Sequence, residues 1–303
     1  MGALAEVFWQ VITPVFLTAS FGYLLARRAN LSPRGLSRAA FYVLSPCLLF
    51  DTFSHTTLSA ADLGKIAGTA FLIILGSGVF AWLLSTILGY GRAHTSAFVL
   101  VVIGGNTGNY GLPTNVFAFG QQALEPAILY YAVGTLILST IGIFLVARSR
   151  SSARVALGNA LSVPLTYAGL AGLLVWATGW RVPVPIERAV ALAGQGAVPV
   201  MLLLLGVQLA QVRVRTDVGR ISLAAVTKLI IGPLLGFLLT GLLGVTGLNR
   251  QVVILQASMP TAVMTTVLAT EYDAEPQFAA GTVLASTLGS LVTVTLVLTI
   301  LST

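Results

Sequence analysis

Charge punctuates the chain. Stretches free of Asp, Glu, Lys and Arg run over 7–26, 66–91, 93–124, 126–147, 155–180, 189–212, 229–249, 251–270 and 276–303, with a shorter one at 39–50. About 20 predominantly apolar residues, rising 1.5 Å each as a helix, span the hydrocarbon core of a bilayer. The pattern therefore predicts ten membrane helices, at approximately 6–26, 36–56, 66–89, 95–119, 124–147, 157–178, 189–210, 219–243, 250–270 and 277–301. The second of these must extend past Asp51 to reach the required length. A membrane barrel would alternate apolar and polar residues in segments of about ten, and stretches such as Met201–Leu205 do not alternate. The expected fold class is an all-α polytopic membrane protein, with 1–303 forming one membrane domain.

Composition strengthens this reading. The 303 residues include 16 basic and 9 acidic ones, so 8% are charged, against about 25% in a soluble domain. With 56% apolar residues there is too little polar surface to coat a water-soluble globule. A soluble enzyme, a coiled coil, a disordered chain and a disulfide scaffold are excluded, and the lone Cys47 has no internal partner. The net charge of +7 is a topology signal, not a sign of nucleic-acid binding. Arg27, Arg28, Arg34, Arg38, Arg92, Arg148, Arg150, Arg154, Arg213, Arg215 and Arg220 fall in alternate loops, and the other side holds only Lys65, Arg181, Arg188 and Arg250. Basic loops stay in the cytoplasm, so both termini are expected outside the cell membrane. Positive charges follow the first apolar run instead of preceding it, and a cleaved signal peptide is not expected.

The halves 1–150 and 151–303 share their punctuation. Pro14, Pro46 and Gly105 are spaced 32 and 59 apart, and Pro164, Pro199 and Pro260 are spaced 35 and 61 apart. Two units of five helices must enter the membrane in opposite orientation, an arrangement found in secondary transporters. The fourth and ninth helices also carry breaks. Gly104-Gly105-Asn106-Thr107-Gly108-Asn109-Tyr110-Gly111-Leu112-Pro113 sets four glycines, two asparagines and a proline inside one charge-free run. Glycine and proline weaken a helix by about 1 and 3 kcal/mol each, and free backbone groups in hydrocarbon cost more still. A helix opening near Asn106 fits a protein-lined cavity, and Ser258-Met259-Pro260-Thr261 marks a second break. Running in opposite directions, the two helices could cross there, each second half presenting a partly positive N-terminus to an anion. Gly104, Gly105, Gly108, Gly111, Pro113 and Pro260 would act as crossover or hinge positions. The alternative is close helix packing, since Gly104/Gly108 and Gly232/Gly236 both have GxxxG spacing.

These residues carry a family resemblance. Asn106-Thr107-x-x-Tyr110-Gly111-Leu112-Pro113, Lys228-Leu229-Ile230-Ile231-Gly232-Pro233, and Ala257-Ser258-Met259-Pro260 running on to Glu271-Tyr272-Asp273-Ala274-Glu275-Pro276 resemble the auxin efflux carrier family. That family includes plant PIN carriers and bacterial malate or malonate carriers. The resemblance implies a 5+5 inverted repeat with broken, crossed helices 4 and 9, like bile-acid symporters and NhaA. It also implies a homodimer, with scaffold helices over 6–56 and 157–210 and a mobile core over 66–147 and 219–301 that moves as an elevator. By the same resemblance, Asn106 matches the asparagine that contacts the substrate carboxylate, and Pro260 matches the second crossover proline. The plant pattern has proline where Gly105 stands, and plant carriers have an acid and a lysine in the third helix, where 66–91 has no charge.

Few polar groups remain inside. Lys228 lies well within the eighth helix, where a lysine costs about 2.5–3.5 kcal/mol on insertion scales. It would balance a bound anion or exchange a proton, unless it snorkels to the cytoplasm. Asn106 and Asn109 offer amide donors and acceptors, although Asn106 could instead cap the half-helix. Gln256, Ser258 and Thr261 could complete a binding site, and Tyr110 could close one side of it. Gln195 and Gln208 read as structural. His55 and His94 are far apart, and no metal or other cofactor is expected. HExxH, Walker A, GxSxG and CxxC motifs are absent, so the chain is not expected to be an enzyme. The leading expectation is an elevator-type secondary carrier of small organic anions, carboxylates or auxin-like weak acids, working in the lipid bilayer with possible proton coupling. Sodium symport and an anion channel on the same scaffold are the alternatives.

Overall fold

The computed structural model describes residues 2–146, 163–212 and 217–302. Among these residues the protein is all-helical, and six helices are long and apolar enough to cross a membrane. In chain order the described helices are α1 (Leu4–Arg28), α2 (33–54), α3 (Ala60–Ile87), α4 in two halves (Arg92–Ile103 and 107–119) and α5 (Gln121–Leu145). They continue with α6 (Pro164–Thr178), α7 (Val184–Leu209), α8 (Val218–Leu242), α9 in two halves (Gly247–Ala257 and Val263–Glu271) and α10 (Pro276–Ser302). The expected start of the sixth helix at 157–162, and Arg148, Arg150, Arg154, Arg213 and Arg215, lie outside the described residues.

Helix ends follow capping chemistry more closely than charge. The second helix begins at Pro33, earlier than the charge pattern predicts, because the Ser32 hydroxyl accepts the Arg34 N–H and Pro33 suits the first turn. Likewise α3 starts at Ala60, where Ser59 accepts the Asp62 N–H at 3.1 Å. Large apolar side chains such as Trp9, Trp82, Ile87, Leu192 and Leu242 point outward, as lipid-facing positions do.

Lipid is as apolar as leucine, so close van der Waals contact has to hold the bundle together. Glycines supply it. Along the α1–α7 seam, Gly22 faces the Leu203 carbonyl and Gly206 faces the Ala19 carbonyl, with no room for a Cβ at either place. Gly172 of α6 and Gly194 of α7 press against the backbone of α2. A separate group forms as α3 packs on α4, α5 and α8, while α8 packs on α9 and α10.

Polar contacts join loops that the distribution of basic residues assigns to the same side. The Glu125 carboxylate at the start of α5 accepts from the Thr56 hydroxyl, the Thr57 and Leu58 N–H groups (2.9 and 3.2 Å) and the Thr57 hydroxyl. His55 lies 3.2 Å from Glu187, and Lys65 donates to the Gly244 carbonyl at 3.3 Å. At the opposite end, the Arg220 guanidinium sits 5.3 Å from the centre of the Tyr90 ring.

The glycine seam sets a test. Gly206→Ala should destabilise the purified protein by about 1–3 kcal/mol, the usual cost of overpacking, which is read as a lower melting temperature. Gly68→Ala, on an open face with nothing within 4 Å, should match or exceed the wild type.

Candidate functional site

The two breaks meet. At Gly104 and Asn106 the backbone leaves helical geometry, with ψ of 84° and 53°. The Asn106 N–H donates to the Pro260 carbonyl at 2.7 Å, and the Ala262 N–H donates to the Gly104 carbonyl at 2.8 Å. Gly105 and Thr261 thus face each other as an antiparallel pair. Each break supplies the partners that the other lacks. In a water-free interior such mutual satisfaction is what permits a helix to open.

The end of the first half of α4 is also accounted for. A helix leaves its last four carbonyls without partners. Here Leu100 accepts from the Gly104 N–H at 3.0 Å and Ile103 from the Gly105 N–H at 3.0 Å. Val101 accepts from the Thr261 hydroxyl at 3.0 Å, and Val102 from the Lys228 ammonium at 2.8 Å. Lys228 therefore reaches inward across the bundle to the break instead of snorkelling to the surface. On the α9 side, the Thr261 N–H donates to the Ser286 hydroxyl of α10 at 3.1 Å. Ser286 carries no sequence signal; it is one of several hydroxyls in a charge-free helix.

One donor at this junction is left over, and one cation lacks a counter-charge. The Asn106 side-chain nitrogen is buried without a partner, and the residue is 5% exposed. Nor does its side chain cap the half-helix that follows. Lys228 is 7% exposed, with the Val102 carbonyl as its hydrogen-bond acceptor and no acidic side chain acting on it. Its nitrogen would sit 3.2 Å from a Cβ placed on Gly105, which is the space a glycine keeps open. The second half of α4 starts immediately after Asn106 as a π-helical turn, Thr107–Gly111. Its first N–H groups bring the positive end of a helix dipole to the same place. One unspent amide donor, a cation and a helix N-terminus are groups that suit a negative charge.

The other expected site residues serve in different ways. Gln256 donates to the Thr107 carbonyl at 3.2 Å and to the Ala127 carbonyl at 2.9 Å, bracing α9 against α4 and α5. Its oxygen lies against Gly111, where a Cβ would overlap it. Asn109 donates to Gln208 of α7 at 3.3 Å. Tyr110 is buried edge-on to Phe16, and its hydroxyl receives Ser290 at 3.4 Å. Ser258 bonds back to the Ile254 carbonyl at 2.7 Å. Gly108 leaves room for the Tyr131 ring, and Gly104 for Thr265. Pro113, which has no N–H to give, follows the widened π turn. Asn115, fully buried with its amide on the Gly111 carbonyl at 2.8 Å, is a polar support that the motif reading missed. Gly232 and Gly236 pack against α9, at the Ala257 carbonyl and at Ile254. His94 is buried between Tyr90 and Phe278, at 4.6 and 4.5 Å, well away from His55.

Architecture and site together define a multi-pass helical membrane protein whose interior is opened by two paired helix breaks. Over residues 7–298 the chain matches the family described as membrane transport protein. It belongs to that family, the auxin efflux carrier family that its crossover motifs resemble. It is 28% identical over 293 residues to an "Uncharacterized transporter" of Methanothermobacter thermautotrophicus, covering 95% of this chain and 96% of that protein. It is 25% identical over 288 residues to a second such transporter of Methanocaldococcus jannaschii, covering 93% and 92%. A "Putative malonate transporter" of Rhizobium meliloti is 28% identical over 314 residues, covering 96% and 95%.

The network predicts a separation at Thr261. Thr261→Val leaves the buried Val101 carbonyl without a donor and should cost about 1–3 kcal/mol, seen as a lower melting temperature. Thr261→Ser keeps the hydroxyl and should stay close to wild type.

Proposed function

We propose that the protein is a secondary carrier of small carboxylates, working by alternating access. The carrying observation is the pair of buried, under-used donors, Asn106 and Lys228, at the meeting point of the two breaks. A carboxylate there would accept from the Asn106 amide and the first N–H groups of the second half of α4, and Lys228 would balance its charge. Ser258, Pro260, Thr261, Asn109, Tyr110 and Gln256 would shape the site around it. The malonate-transporter relative supports a short dicarboxylate or a related monocarboxylate as cargo.

In this reading, 1–150 and 151–303 are inverted five-helix repeats, and α4 and α9 cross at their breaks. The tight α1–α7 and α2–α6 seams support a scaffold of 6–56 and 157–210. The packing of α3, α4, α5, α8, α9 and α10 supports a mobile core of 66–147 and 219–301. The core would slide past the scaffold as an elevator within a homodimer in the cell membrane, both termini outside the cytoplasm. Asn109 and Gln208 lie on that sliding boundary.

The test is uptake into proteoliposomes. Malonate, malate, indole-3-acetate and short monocarboxylates would each be offered with and without sodium and proton gradients. Saturable uptake of at least one carboxylate is expected. Asn106→Ala and Lys228→Ala should each lower it about 10- to 100-fold, the equivalent of losing one charge-assisted hydrogen bond, with normal membrane insertion. Wild-type uptake in both variants would refute the site, and unsaturable linear currents would indicate a channel.

A further inference from the structure

We infer that Lys228 carries a proton together with each anion, so that the protein is a proton–carboxylate cotransporter. This rests on the carboxylate site proposed above. The argument begins with what surrounds the amine. Its acceptor is the Val102 carbonyl, at the partly negative end of a half-helix. That fractional charge offsets only part of a full positive charge.

Among the described residues, no acid or base faces Lys228 from the helices packed around it. On α8 itself, Arg220 is eight residues away, about 12 Å along the axis. Asp62 and Lys65 lie in the first two turns of α3, and Arg92 and His94 in the first turn of α4. On α9, Arg250 and Glu271 sit near the two outer ends, and α10 contains no charged residue. An ammonium with an anion beside it is balanced, whereas an ammonium alone in this buried place is not.

Two loading states therefore suit movement through the membrane: a monoanionic carboxylate with charged lysine, and empty site with neutral amine. A proton from one side joins the Lys228 amine as the anion binds. Both leave on the other side, and the neutral amine keeps its hydrogen bond to Val102 during the return. Sodium has no acidic ligand at this junction, so the lysine takes the place a coupling cation would occupy.

The experiment uses the full-length protein in liposomes containing a trapped pH-sensitive dye, with labelled malonate added outside and protein-free liposomes as the control for passive leak. The expected result is lumenal acidification in step with malonate uptake, with one proton per anion carried on Lys228 and a second where malonate crosses as its monoanion, and faster uptake when the inside is alkaline. Lys228→Arg, which keeps a permanent cation, should lose net malonate uptake, because the empty carrier cannot return uncharged, and any exchange that remains should move no protons. Malonate uptake without proton movement would overturn the inference and leave the carboxylate site standing, as would net uptake by Lys228→Arg equal to wild type. Absence of uptake of any carboxylate by the wild type would overturn the carrier reading itself and the coupling with it.

Discussion

Two backbone hydrogen bonds, Asn106 to Pro260 and Ala262 to Gly104, are the constraint on which the interior is built. A helix inside a bilayer can open only where another group replaces its missing partners. Here the second opening supplies them. Because each break satisfies the other, neither could exist alone, and the spacing of α4 and α9 is fixed by a bonded pair instead of by side-chain packing. Thr261 and Lys228 complete the arrangement by covering the Val101 and Val102 carbonyls.

The same constraint concentrates polarity. Opening two apolar helices at one point gathers four helix ends where an uninterrupted bundle would have none. Glycines make room for this. Gly105 leaves space for the Lys228 amine, and Gly111 for Gln256. Gln256 spends both its N–H groups on the backbone of α4 and α5, so the second half of α4 is held at a defined angle to α9. What remains after these bonds are made is the Asn106 amide, the Lys228 cation and the Gln256 amide oxygen, with no acid among them. Those unspent groups are what the proposed anion cargo rests on.

Much of this was legible in the chain. Charge-free runs located most of the described helices to within a few residues, because charge is costly in lipid wherever it is unpaired, although α3 and α7 begin about a turn or more before the expected 66 and 189. The glycine, asparagine and proline cluster over 104–113 located the first break, because an intact membrane helix has no use for them at that density, and Ser258-Met259-Pro260-Thr261 marked the second. Capping chemistry was less legible: Ser32 moved the start of α2 by three residues. The least legible features were contacts that depend on three-dimensional register. Ser286 and Asn115 look like ordinary polar residues of apolar helices, and Glu125 looks like a loop acid until it is seen gathering the α2–α3 connection. For Asn106 the sequence allowed either a cap or a ligand-facing amide, and the side chain makes no cap. Lys228 was open between snorkelling and turning inward, and it turns inward.

The claim at the centre of this account is that the paired breaks form an anion site. It is tested most directly by calorimetric titration of malonate into the purified, detergent-solubilised protein, alongside Asn106→Ala and Lys228→Met. The account predicts saturable binding by the wild type that weakens at least about tenfold in each variant, while each variant remains folded. Binding of unchanged affinity in both variants would contradict it.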